Sequence, residues 1–167
     1  MVSMGLDLSL TETGLYILDD SSGWEHSKLI KVKNRGIKRI AEIWGQISEE
    51  LSVYQPKIVL LEGYSYASRG SAVTGQAELG GVVRYHLFKQ GIFYYDVAPT
   101  QLKKYATGVG NACKERVVLS VYKKWGKEFY NNNLADSYVL AQMGLATVND
   151  EGLTVPQKAV LEKIQVA

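Results

Sequence analysis

Four consecutive apolar residues, Ile58-Val59-Leu60-Leu61, stop abruptly at Glu62. A run of this kind, apolar on both faces, suits a strand covered on both sides, the usual setting for parallel pairing. What precedes it narrows the sheet further. Strand patterns around Met4 to Leu10, Gly14 to Leu18 and His26 to Val32 are joined by the polar links Thr11-Glu12-Thr13 and Asp19-Asp20-Ser21-Ser22-Gly23. Links this short favour an antiparallel meander. Between the meander and the buried strand, Ile37, Ile40, Ala41, Trp44, Ile47 and Leu51 recur at helical spacing until Pro56, which reads as the first long helix.

Beyond Glu62, Gly63 to Ser71 reads as a loop rich in Gly, Ser and Tyr, followed by a helix to about Gln90 and a strand from Ile92 to Val97. Pro99 can open a short helix, because its missing N–H costs nothing in the first turn. After Gly108 and Gly110 a helix places Val117, Val118, Val121, Tyr122 and Trp125 on its apolar side, and Gly126 can end it. A last core helix begins near Asn133. With 167 residues, 46% of them hydrophobic, the chain suits one core rather than two. The expectation is an α/β domain over residues 1–150, with a mixed five-stranded central sheet, three antiparallel strands then parallel additions, flanked by helices. Residues 151–167 read as a tail with a short helix after Pro156.

No apolar stretch approaches the roughly 20 residues that span a bilayer, and Asp7 stands where a secretion signal would need an apolar core. A single cysteine, Cys113, offers neither a disulfide nor a zinc site, and a reducing cytoplasm is the expected compartment. The net charge of +2 is uninformative, but its distribution is not. Lys103, Lys104, Lys114, Arg116, Lys123, Lys124 and Lys127 face only Glu115 within their segment. Such a segment can meet phosphates or can simply be a solvated helix face; the charge pattern does not separate the two.

Asp7 lies between Leu6 and Leu8 in the first strand, where an ionised carboxylate is expensive without compensation. Glu62 repeats the situation at the end of the buried strand. Asp136 sits near the start of the apolar helix Leu134 to Ala141, where an acid can also serve only as a dipole partner or cap. Taken together, the three suit metal-assisted phosphodiester hydrolysis, in which two hard cations about 4 Å apart activate a water and stabilise the leaving 3′-oxygen. His26, in the meander, and His86, inside a helix, are poorly placed as a catalytic pair, and Cys113 has no obvious partner base.

Gly5-Leu6-Asp7-Leu8-Ser9 with Thr13-Gly14 resembles the opening strand and hairpin of RuvC-like Holliday junction resolvases, and Val59-Leu60-Leu61-Glu62 resembles their second acidic strand. Gln76 to Gly81, Pro99 to Lys104, Gly108-Val109-Gly110, Lys114 and Ala135-Asp136-Ser137 follow in the family's order, to about Gly144. The resemblance implies an RNase H-like fold and a homodimer that nicks four-way junctions and other branched DNA with two Mg²⁺ per site, or Mn²⁺ in its place. It implies Asp7, Glu62 and Asp136 as metal ligands and Lys103 and Lys114 at the scissile phosphate. Tyr64 or Tyr66 would stack on unpaired bases, with Arg69, Lys104 and Arg116 as further DNA contacts. Asn133 departs from the family, which carries Asp or His one turn before the last aspartate. It would offer a neutral oxygen to the metal, or act only as a helix cap. The helix from about Ala72 to Gln90, with Val73, Val82, Val83 and Leu87 beside Gly80 and Gly81, is the expected dimer face, unless it packs on its own sheet.

Two other readings remain. The stretch Asp7 to Gly14 also resembles the phosphate-binding hairpin of sugar kinases and actin-like ATPases, which need two domains to close on a nucleotide. A non-catalytic junction-binding module is the other. A compact resolvase of this size would suit a bacteriophage or a bacterial cytoplasm.

Overall fold

A computed structural model describes residues 1–63 and 71–166. The elements run β1 (Val2–Asp7), β2 (Thr13–Asp19), β3 (Glu25–Ile30), α1 (Gly36–Tyr54), β4 (Ile58–Glu62), α2 (Ser71–Lys89), β5 (Phe93–Val97), α3 (Pro99–Thr107), α4 (Lys114–Trp125), α5 (Asn132–Ala146), α6 (Val155–Leu161) and β6 (Gln165–Val166). In space the strands lie in the order β3-β2-β1-β4-β5-β6. β1 to β3 form the antiparallel meander; β4 and β5 add in parallel. The two-residue β6 extends the five expected strands at the far edge, antiparallel to β5. The first strand ends at Asp7, earlier than the sequence pattern suggests. Ser9 and Thr13 close a turn in which the Thr13 hydroxyl donates to Ser9 O at 2.7 Å and accepts from Ser9 N at 3.0 Å.

The sheet separates two apolar layers. On one side Met4, Leu6, Leu15, Ile17, Val59 and Leu61 pack against α1 and α2. On the other, Tyr16, Leu18, Ile58 and Leu60 pack against α3 to α6. The alternation follows from the two-residue period of a strand, and it fixes where the acids point. Asp7 shares the parity of Ser3 and Gly5, and Glu62 that of Ile58 and Leu60, so both carboxylates face the layer that contains α5.

Helix α5 is buried on most sides, from Ala135 through Ala146, and it approaches the sheet unusually closely. A Cβ on Gly5 would lie 2.6 Å from the backbone N of Ala141, and one on Gly14 would lie 2.6 Å from the carbonyl carbon of Asn133. Both distances are shorter than any side chain tolerates, so glycine at these positions sets the height of α5 above β1 and β2.

Two expected helix faces are placed differently. Val83 and Leu87 of α2 are fully buried against the protein's own sheet, because that apolar stripe is what seats the helix. In α4, Val117 and Val121 are the buried stripe, while Tyr122 is 56% exposed. After residue 150, Val160 of α6 joins the core beside α3 and α5.

Candidate metal centre

Asp7 is the last residue of β1 and Glu62 the last of β4. The parallel register that pairs Leu6 with Leu61 brings the two acids abreast at neighbouring strand ends, on the face covered by α5. Asp136 reaches the same place from the first turns of α5. That helix starts at a built cap: Asn131 Oδ1 accepts from Leu134 N at 3.1 Å, satisfying one of the donors left over at a helix N-terminus. Each of the three acids offers an oxygen, and all three oxygens lie within 4.8 Å of one another.

This is an uncomfortable arrangement for carboxylates alone. Asp7 is only 8% exposed. Burial, followed by the charge of Glu62, a hydrogen bond with it and the charge of Asp136, pushes its carboxyl far above the ordinary range. Burial and the nearby Glu62 raise Asp136 to about 7. Two lysines act in the opposite sense: Lys114, the first residue of α4, favours ionisation of both aspartates, and Lys103 of α3 favours that of Asp136. Crowded, partly buried carboxylates are a standing demand for positive charge. An all-oxygen donor set suits hard divalent cations such as Mg²⁺ or Mn²⁺, so the residues present fit such a group.

Of the other residues singled out in the sequence, Lys104 is half-buried on α3 and Arg116 exposed on α4. Tyr64, Tyr66 and Arg69 lie outside the described residues. Asn133 is not the cap, a role that falls to Asn131. Its amide nitrogen donates to the backbone oxygen of Glu12 at 2.7 Å, tying the start of α5 to the hairpin that follows Asp7. His86 stacks on Trp44 with ring centroids 4.5 Å apart, and His26 lies 3.2 Å from Glu50; neither joins the acidic group. Cys113 is a free, exposed thiol.

Residues 3–141 match the family model described as crossover junction endodeoxyribonuclease RuvC. The chain belongs to that family. Crossover junction endodeoxyribonucleases RuvC from Sulfurovum sp. (strain NBC37-1) and Mycobacterium bovis (strain BCG / Pasteur 1173P2) are each 26% identical to it. The first alignment spans 83% of this chain and 91% of the relative, the second 72% and 67%. Among solved structures, Thermus thermophilus RuvC in complex with a Holliday junction substrate superposes with a TM-score of 0.75 at 21% identity. That match covers 92% of this chain and 98% of the other. The yeast mitochondrial Holliday junction resolvase Ydc2 superposes with a TM-score of 0.59 at 12% identity, over 96% and 80%. The fold is therefore the RNase H-like fold of the RuvC resolvases, and the chain is a nuclease of a divalent-metal-dependent family. Among the described residues no helix is long and apolar enough to cross a membrane.

Proposed function

We propose that this RuvC-family nuclease nicks four-way junctions and other branched DNA by two-cation phosphodiester hydrolysis, with Asp7, Glu62 and Asp136 as the metal ligands. The observation that carries the reading is the convergence of three acid oxygens within 4.8 Å on a face to which two lysines contribute positive charge. When bound, a pair of hard cations, Mg²⁺ in the cell with Mn²⁺ able to substitute, supplies activation of a water and stabilisation of the leaving oxygen.

The chain's own groups do the rest. Asp7 and Glu62, fixed at adjacent strand ends, form a rigid floor, and Asp136 closes the site from the helix above. Lys114 and Lys103 hold the scissile phosphate and offset its charge as the bond breaks. Lys104, Arg116 and Arg69 extend the basic contacts along the DNA backbone, while Tyr64 or Tyr66, two and four positions after Glu62 in the chain, stacks on the unpaired bases at the crossover. Symmetric nicking of two strands calls for two copies. With Val83 and Leu87 committed to the core, the dimer face is the outer side of α2, where Tyr85 is 57% and Phe88 73% exposed, together with Phe93 at 69%. A reducing bacterial or phage-infected cytoplasm, where branched DNA arises, is the setting that a lone exposed cysteine suits.

The test is incubation of the purified protein with end-labelled four-way, three-way, flap and linear DNA, in Mg²⁺ or in EDTA. Metal-dependent cutting that favours the branched substrates is expected. Binding of the four-way junction without cutting in either condition would support a non-catalytic module instead.

A further inference from the structure

Glu12 is the last residue of the link between β1 and β2, five positions beyond Asp7 and immediately before Thr13, and all its acceptors are engaged. Its Oε1 accepts from Asn131 Nδ2, its Oε2 pairs with Lys31 Nζ at 2.6 Å, and its backbone oxygen accepts from Asn133 Nδ2 at 2.7 Å. Asn131 stands five positions before Asp136, and its amide has two tasks. The oxygen caps α5 by accepting from Leu134 N at 3.1 Å, and the nitrogen holds Glu12. The hairpin is itself stiff, because Thr13 Oγ1 closes it through both the N–H and the carbonyl of Ser9. A nearly rigid connection therefore runs from Asp7 through the hairpin to Glu12, then through Asn131 and Asn133 to the turn that presents Asp136.

From this connection we infer that Glu12 is a positioning residue for the cation site, holding Asp7 and Asp136 at their binding separation before any cation arrives. The inference rests on the metal-centre reading above. The buried Asp7 and the half-buried Asp136 are crowded together with Glu62, their oxygens within 4.8 Å of one another, and the strand pairing of β1 does not itself hold the first turn of α5 in place. A clasp at the helix start does so, and the work of bringing the ligands together is done on folding rather than on binding. Glu12 carries no net charge into the site, because Lys31 neutralises it on the solvent side: the lysine is 64% exposed.

The experiment is a Mn²⁺ titration of the full chain without DNA, by calorimetry and by the electron paramagnetic resonance signal of free Mn²⁺, alongside thermal unfolding of the metal-free proteins. Glu12→Ala removes the side-chain clasp. Asn131→Ser keeps a capping hydroxyl for α5 but is too short to reach Glu12, so it separates capping from clasping. Glu12→Gln keeps the acceptor for Asn131. Both disrupting variants are expected to raise the Mn²⁺ dissociation constant by roughly tenfold, the lower end of what residues supporting metal ligands contribute, with Glu12→Gln close to wild type. Lowered unfolding temperatures with wild-type Mn²⁺ affinity in both disrupting variants would overturn the inference and leave Glu12 a stabiliser of the hairpin. The underlying reading fails separately, and the inference with it, if the unaltered chain binds no Mn²⁺ or if Asp136→Asn binds it equally well.

Discussion

Gly5 of β1 lies directly beneath the amide of Ala141 in α5, with a would-be Cβ only 2.6 Å from that nitrogen. The obstruction is backbone, which cannot rotate away. Gly5→Ala must therefore raise α5 or bend β1, and Asp7, two residues along the strand, moves relative to Asp136. We expect a loss of about 1–3 kcal/mol in stability, in line with other overpacked interiors, measured by urea unfolding. Cleavage is expected to fall further than the remaining folded fraction explains.

The metal-free protein is expected to become less stable as pH rises. Asp136 titrates near 7 in the folded chain against an ordinary value of 3.8, and Asp7 is raised as well. Folded-state pKa values above the unfolded ones mean that the folded chain holds protons the unfolded chain releases. The associated stability is fully present below about pH 4 and drains away as pH climbs through 7 and, for Asp7, beyond. Thermal unfolding in EDTA should show this decline, Mg²⁺ should reverse it most strongly at high pH, and Asp7→Asn should flatten it.

Asn133 offers a test of how the departure from the family pattern is accommodated. We propose that its amide oxygen serves the cation weakly while its nitrogen holds the hairpin at Glu12 O. Asn133→Asp places a full charge beside the site but cannot donate that hydrogen bond. The Mg²⁺ concentration for half-maximal cleavage should fall, while stability drops by about 1 kcal/mol, the usual worth of one such bond. Asn133→Ala should lose on both counts. An unchanged Mg²⁺ titration in both variants would show that Asn133 neither serves the cation nor, through its bond to Glu12 O, helps to hold the site.

If α2 pairs two copies through its outer side, Phe88→Glu places a charge in the middle of the interface. Light scattering should then report a monomer where the unaltered chain gives a dimer. Paired incisions on a four-way junction should become single nicks. A monomeric unaltered protein, free and on DNA, would remove this face from consideration.

The parts of the fold and site legible in the sequence are those written in local pattern. The apolar run of β4 ending in Glu62, the short links of the meander and the spacing of α1 are each contained within one element, and they suffice to put Asp7 and Glu62 at neighbouring strand ends. What stays hidden depends on distant partners. Glu12 reads as an ordinary polar turn residue because its partners Asn131 and Asn133 lie 119 and 121 positions away. Three consecutive asparagines, Asn131 to Asn133, offer three possible caps, and only the path of the chain into α5 selects the first. Val83 and Leu87 look available for a partner because periodicity identifies an apolar stripe without saying what covers it. Tyr122 reads as interior for a similar reason, and a two-residue strand such as β6 carries too little pattern to be seen.

Asp7, Glu62 and Asp136 are proposed to form one hydrolytic metal site. The most direct measurement is single-turnover cleavage of a labelled four-way junction in Mg²⁺ by Asp7→Asn, Glu62→Gln and Asp136→Asn, with junction affinity measured in parallel without metal. Each variant is expected to lose at least roughly 10²-fold in rate, the scale on which a group that stabilises developing charge acts, while binding the junction as tightly as the unaltered chain or more so. Near-normal cleavage by any one of the three would contradict the assignment of that residue, and parallel loss of binding and cleavage in all three would contradict the site itself.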